Sequence, residues 1–111
     1  MKILTEKQIS YLRSNPDKHS WIHISYEFSL SEDFIREFQD YVDWLYISSY
    51  QILSENFISE FQHKVDWINI SHSQNLSENF IRKFINKLYI KPLLHNPYIP
   101  DDLKQTIKLL S

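Results

Sequence analysis

Apolar residues between positions 53 and 65 fall at Leu53, Phe57, Ile58, Phe61 and Val65, a spacing that lines one face of an α-helix. Ser54 stands just ahead of this stripe as an N-cap. Leu53 before the cap and Ile58 after it make a hydrophobic staple, so the pattern predicts a helix, called helix A. A second start follows at Val65-Asp66-Trp67, with Ile70 four residues beyond Asp66, and predicts a short helix B. Only Trp21 to Ser25 alternates cleanly, so a strand reading is weak.

Both signals recur. Leu30-Ser31-Glu32-Asp33-Phe34-Ile35 returns as Leu53-Ser54-Glu55-Asn56-Phe57-Ile58 and as Leu76-Ser77-Glu78-Asn79-Phe80-Ile81, each 23 residues on, and Trp21, Trp44 and Trp67 keep the same interval. A fixed period of this length marks a repeat architecture, in which no unit buries its apolar face alone and neighbours stack. The expectation is an all-α helical-repeat solenoid of short helix pairs, a single domain over 1–111, with units at about 1–29, 30–52, 53–75 and 76–111. A compact helical bundle is the alternative.

The end units diverge. Thr5 with Gln8 forms a capping box and Leu4 with Ile9 a staple, which predicts a first helix A over Leu4 to Leu12, followed by the loop Ser14-Asn15-Pro16-Asp17. Near the other end, Tyr89-Ile90 replaces the Asp-Trp pair and Pro92 interrupts the expected helix B. Asp101 is the expected N-cap of a terminal helix whose apolar face is Leu103, Ile107 and Leu110.

Composition narrows the functional classes. The chain has no cysteine, which removes disulfides and thiolate chemistry and fits a reducing compartment such as the cytoplasm. It has no glycine either, so phosphate-cradling glycine loops are absent. The amino end turns polar before a signal-type apolar run forms, and no run approaches membrane-spanning length. A net charge of -2 supplies no basic field for collecting nucleic acid.

Candidate chemistry is mostly absorbed by folding roles. Glu32, Glu55 and Glu78 occupy first helical turns, where a carboxylate interacts favourably with the helix dipole, and Asp43 and Asp66 read as caps. Ser25, Ser48 and Ser71 read as small residues at close helix approaches, with bonding back to the preceding turn as the alternative. His19 and His23 have the spacing of a helical metal site, but Ser20 caps a helix between them, so no metal or cofactor is expected. No Gly-x-Ser-x-Gly elbow exists, and no enzyme activity is expected. Glu37, Asp40 and Glu60 are left without a structural role.

Positions that vary between copies are the better guide to binding. His23, Tyr46 and Asn69 correspond in the repeat, as do Tyr26, Ser49 and His72, and Glu27, Tyr50 and Ser73. Tyr46 and Tyr50 are the expected partner contacts, with His23, Asn69 and His72 beside them. Residues 30–75 hold eight acids against two bases, a formal −6, while 76–111 carry a formal +3. An acidic middle including Glu37, Asp40 and Glu60 suits a protein partner with a basic surface. The bases Arg82, Lys83, Lys87, Lys91, Lys104 and Lys108 support a less favoured reading as a nucleic-acid-binding module, and self-assembly through the repeat ends is a third.

The combined motif Val65-Asp66-Trp67-x-x-Ile70-Ser71 followed by Leu76-Ser77-Glu78-x-Phe80-Ile81 resembles short tandem repeats in proteins of giant viruses and some phages, over about residues 20–90. That resemblance carries no catalytic residues. It implies a viral or mobile-element origin and, with it, an inhibitor of host defence, similar to anti-CRISPR proteins, acting on a host protein or protein–RNA complex.

Overall fold

A computed structural model describes residues 1–110. Among them the chain forms nine α-helices: α1 (Glu6–Ser14), α2 (Trp21–Glu27), α3 (Glu32–Glu37), α4 (Trp44–Tyr50), α5 (Glu55–Glu60), α6 (Trp67–Ser73), α7 (Glu78–Lys83), α8 (Ile90–Leu94) and α9 (Asp101–Leu110). A 3₁₀ turn, Pro16–Lys18, fills the inserted loop of the first unit, and β structure is limited to one parallel bridge between Lys2 and Phe28. Helices α1, α3, α5 and α7 are the A helices; α2, α4, α6 and α8 are the B helices. The B helices stack in order, α2 on α4, α4 on α6, α6 on α8, and α9 closes the series on α8. The stack measures 50 × 24 × 18 Å, an elongated repeat rather than a bundle.

Every A helix starts at its expected cap, but α1 runs on to Ser14, two residues past the expected Leu12, whereas α3, α5 and α7 end sooner than expected. Ser31, Ser54 and Ser77 accept the backbone N–H of Phe34, Phe57 and Phe80 at 3.0, 3.1 and 3.2 Å. The helix then stops at the sixth residue, and Phe38, Phe61 and Phe84 leave it with φ near −105°. The carbonyl of each of these phenylalanines accepts two N–H groups from the turn beyond it; for Phe61 these are Lys64 at 2.8 Å and Val65 at 3.0 Å. The continuous stripe expected from Phe57 to Val65 is thus a helix followed by a turn, and both deliver buried side chains. The chain lacks glycine, and among the described residues none is at positive φ, so no helix there ends in a left-handed cap.

The B helices α2, α4 and α6 are each locked by a tryptophan. Asp43 and Asp66 cap α4 and α6 through the N–H of Tyr46 and Asn69, and Ser20 does the same for α2 through His23. The indole N–H of Trp21, Trp44 and Trp67 donates to the carbonyl five residues back, on Pro16, Gln39 and Gln62, at 2.7 to 3.0 Å. The ring meanwhile packs on the next unit's two phenylalanines; Trp44 lies 6.2 Å from Phe57 and 5.2 Å from Phe61. Such ring pairs contribute roughly 0.5–1.5 kcal/mol beyond burial.

The layers are joined by buried polar side chains. Gln74 accepts the N–H of Leu53 at 3.1 Å and donates to the carbonyls of Ser48 (2.9 Å) and Gln51 (2.7 Å). Gln51 repeats all three bonds one layer earlier, to Leu30, Ser25 and Phe28. Asn96 ends the ladder by donating to the carbonyls of Ser71 and Gln74, both at 2.8 Å. The buried serines do more than allow close approach: Ser25, Ser48 and Ser71 accept the N–H of Asp43, Asp66 and Tyr89 in the following unit. Ser71 also donates back to Trp67, so packing and back-bonding coexist.

Two terminal expectations are corrected. Pro92 lies in the first turn of α8, where a missing N–H costs little, so the fourth helix B forms at five residues instead of being interrupted. Asp101 is already helical rather than capping α9, because the carbonyl of Pro100 accepts the first N–H, from Lys104 at 3.0 Å. Replacing Gln74 by Leu leaves one N–H and two carbonyls buried without partners, at about 1–3 kcal/mol each. Q74L should therefore lower the circular-dichroism melting midpoint by more than about 10 °C, and N56A, at an exposed site, should leave it unchanged; equal midpoints would refute the ladder's importance.

Candidate partner-binding face

Burial of the B helices follows from their start. With the tryptophan half-buried and the residues three and four positions later buried, as in Trp44, Ile47 and Ser48, the positions one, two, five and six after it point away from the core. One row on this outer surface is aliphatic: Ile22, Leu45 and Ile68 are 50%, 48% and 51% exposed. Three such residues at one repeat position form a line along the stack and not scattered surface apolars. Lys91 closes the row at the fourth position.

Beside that row stands an aromatic cluster. Tyr26 lies 5.6 Å from Tyr46 and 6.0 Å from Tyr50, Tyr46 stacks on Tyr50 at 5.9 Å, and His23 meets Tyr26 edge-on at 5.6 Å. Tyr50 is exposed and Tyr46 half-buried; farther along, Asn69 is half-buried and His72 exposed. The structure thus gathers five of the expected contact residues, His23, Tyr46, Tyr50, Asn69 and His72, on one face. Sequence reading omitted Tyr26 from the contacts and overlooked the Ile22, Leu45, Ile68 row. Its signal was available: an apolar residue recurs directly after each tryptophan, out of phase with the buried isoleucine.

Charge is absent from the middle of this face. Helices α4 and α6 contain no Asp, Glu, Lys or Arg. At the end of the face Glu27 pairs with Lys2 at 2.8 Å and also with His23, and Lys2 holds the Glu27 carboxyl below the usual carboxylate range.

Glu37, Asp40 and Glu60 belong to the A-helix side. Each is paired with a base 24 residues away in a neighbouring unit: Glu37 with Arg13 at 2.6 Å, Glu60 with Arg36 at 2.9 Å, Asp40 with Lys64 at 3.0 Å. Glu32 and Glu55 reach the next unit as well, accepting from the backbone N–H and hydroxyl of Ser54 and Ser77. The acidic middle is therefore largely engaged in joining layers. Among the described residues no group of three or more His, Cys, Asp or Glu is arranged to hold a metal, and no helix is long and apolar enough to cross a membrane.

The Arg13 guanidinium, by hydrogen bond and charge, holds the Glu37 carboxyl below its ordinary 4.5 despite partial desolvation. A depressed carboxylate adds stability above its unfolded value and loses it as pH falls through the folded one. An NMR titration should accordingly place Glu37 below 4.5, and R13A should return it towards 4.5; a native midpoint at or above that value would contradict the pairing. No protein-family model, no curated protein and no solved structure matches this chain.

Proposed function

We propose that this chain is a non-enzymatic, protein-binding repeat module whose outer B-helix face docks a protein partner. The observation that carries the proposal is that face itself: a line of half-exposed Ile22, Leu45 and Ile68, an adjoining cluster of Tyr26, Tyr46 and Tyr50, and no charged residue in α4 or α6. Depletion of charge with enrichment of tyrosine is the composition of an interface centre. The paired acids of the A side weigh against steering by an acidic ridge, so the reading rests on apolar and aromatic contact.

The resemblance to giant-virus and phage repeats extends the proposal to its setting. There the module acts in the host cytoplasm as an inhibitor that blocks a nucleic-acid-handling defence complex, such as a CRISPR–Cas effector, by occupying its surface. One observation favours a second reading: among the described residues no carboxylate pairs with Lys83, Lys87, Lys91 or Lys104, which leaves a basic end that suits nucleic acid.

The test uses the native protein and the variant carrying L45K and Y50K, both at exposed positions where folding should change little. Affinity purification from host lysate at moderate salt should recover a protein with the native chain and lose it with the variant. Recovery by both, or by neither, would reject the B face as the docking surface. A gel shift of DNA or RNA at low salt that disappears as salt rises would favour the second reading instead.

A further inference from the structure

We propose a second binding site at the start of the stack, a slot between α1 and α2 that accepts an amphipathic helix of a partner protein and so adds a layer to the repeat. In the interior, each B helix covers the following unit: it packs on the next B helix, and its tryptophan lies on the next helix A's phenylalanine pair. Among the described residues no B helix precedes α1 and α2. Where it would lie is a slot of about 730 Å³, lined chiefly by Leu4, Gln8 and Leu12 of the first A segment, Ile24 and Phe28, and His19.

The slot lies at the positions that receive the preceding layer elsewhere, and two substitutions set it apart from an interior junction. Gln8 stands at the position of Phe34, whose ring elsewhere receives the preceding tryptophan, and Phe28 stands at the position of Gln51, whose side chain reaches back to the preceding B helix. Both line the slot. His19 adds an unmet bond: its Nε2 is buried with no hydrogen-bond partner, and a buried polar atom left unbonded is costly. Lys7 is the one Lys or Arg on the lining, and no acid accompanies it. The occupant that fits is a helix opening with an acid–aromatic pair, as Asp66-Trp67 does, with isoleucine three residues beyond the aromatic and a hydrogen-bonding side chain for His19. A second copy's α9 fits poorly, because its outward residues include Asp101, Asp102 and Gln105 and only Leu109 among apolar ones.

The probe is a peptide of residues 64–76 of this chain, held helical by a hydrocarbon staple at the outward positions 68 and 72, added to the full chain and followed by amide NMR. Shifts should concentrate on Gln8, His19, Ile24 and Phe28. Changing the peptide's tryptophan to alanine should weaken binding at least about tenfold, and Q8F in the protein should tighten it by up to about tenfold, by restoring the ring pair. L45K with Y50K should leave the titration unchanged, which separates this site from the B face. No shift at millimolar peptide, equal binding by the alanine peptide, shifts centred on Leu45 and Tyr50, or slot shifts that follow protein concentration without peptide would each overturn the proposal.

Discussion

The constraint on which the fold depends is the need to satisfy irregular backbone inside a stack of very short helices. A six- or seven-residue helix leaves most of its terminal N–H and C=O groups without intrahelical partners, and every 23-residue unit contains two such helices. Stacking then buries the junctions. The side-chain amide of Gln51, and again of Gln74, answers this by donating to two carbonyls of the preceding unit and accepting the N–H of the leucine that opens its own. A hydrophobic residue there would fill the space but leave those groups unbonded. Asn96 performs the donor half of the task with a shorter side chain, from a position one residue out of register.

Once the ladder sets the spacing between layers, the two sides of the stack acquire different chemistry. On the A side, residues 22 to 24 apart come face to face, which makes Arg13–Glu37, Arg36–Glu60 and Asp40–Lys64 pairs and lets Glu32 and Glu55 brace the next unit's cap. Such exposed pairs are individually weak. Their main effect is that the carboxylates of the middle units are largely committed within the molecule. On the B side the same translation lines up whatever follows each tryptophan, and with Ile, Leu and Ile there the repeat writes one apolar line across three units.

Local features were legible in the sequence because their residues are close in the chain. The period, the serine and aspartate caps, the staples and the buried isoleucines follow from spacings of a few residues. Features made by translation across a layer were not. Gln51 and Gln74 recur in plain sight, yet a glutamine after a helix reads as solvated until the preceding layer's carbonyls are placed beside it. Glu32 and Glu55 were assigned to the helix dipole, a correct local role that hid their bonds to Ser54 and Ser77. The early stop at Glu60 was invisible because the turn after it keeps Phe61 and Val65 in the phase of a continuing helix.

The two ends of the described stack differ. At the carboxyl side α9 packs on α8, buries Ile107 and turns Asp101, Asp102 and Gln105 outward, so the layer of α8 is covered. At the amino side no B helix precedes α2 among the described residues; the backbone of Lys2 accepts the N–H of Ser29 at 2.7 Å, and the repeat's phenylalanine and glutamine are exchanged for Gln8 and Phe28. The Gln8 exchange lowers the apolar area exposed on α1, while the Phe28 exchange removes an amide that would have no preceding carbonyls to bond. Together they make the amino end tolerable in water without filling it. An end made soluble by two exchanges differs physically from one covered by a helix, although both are built on the same 23-residue repeat.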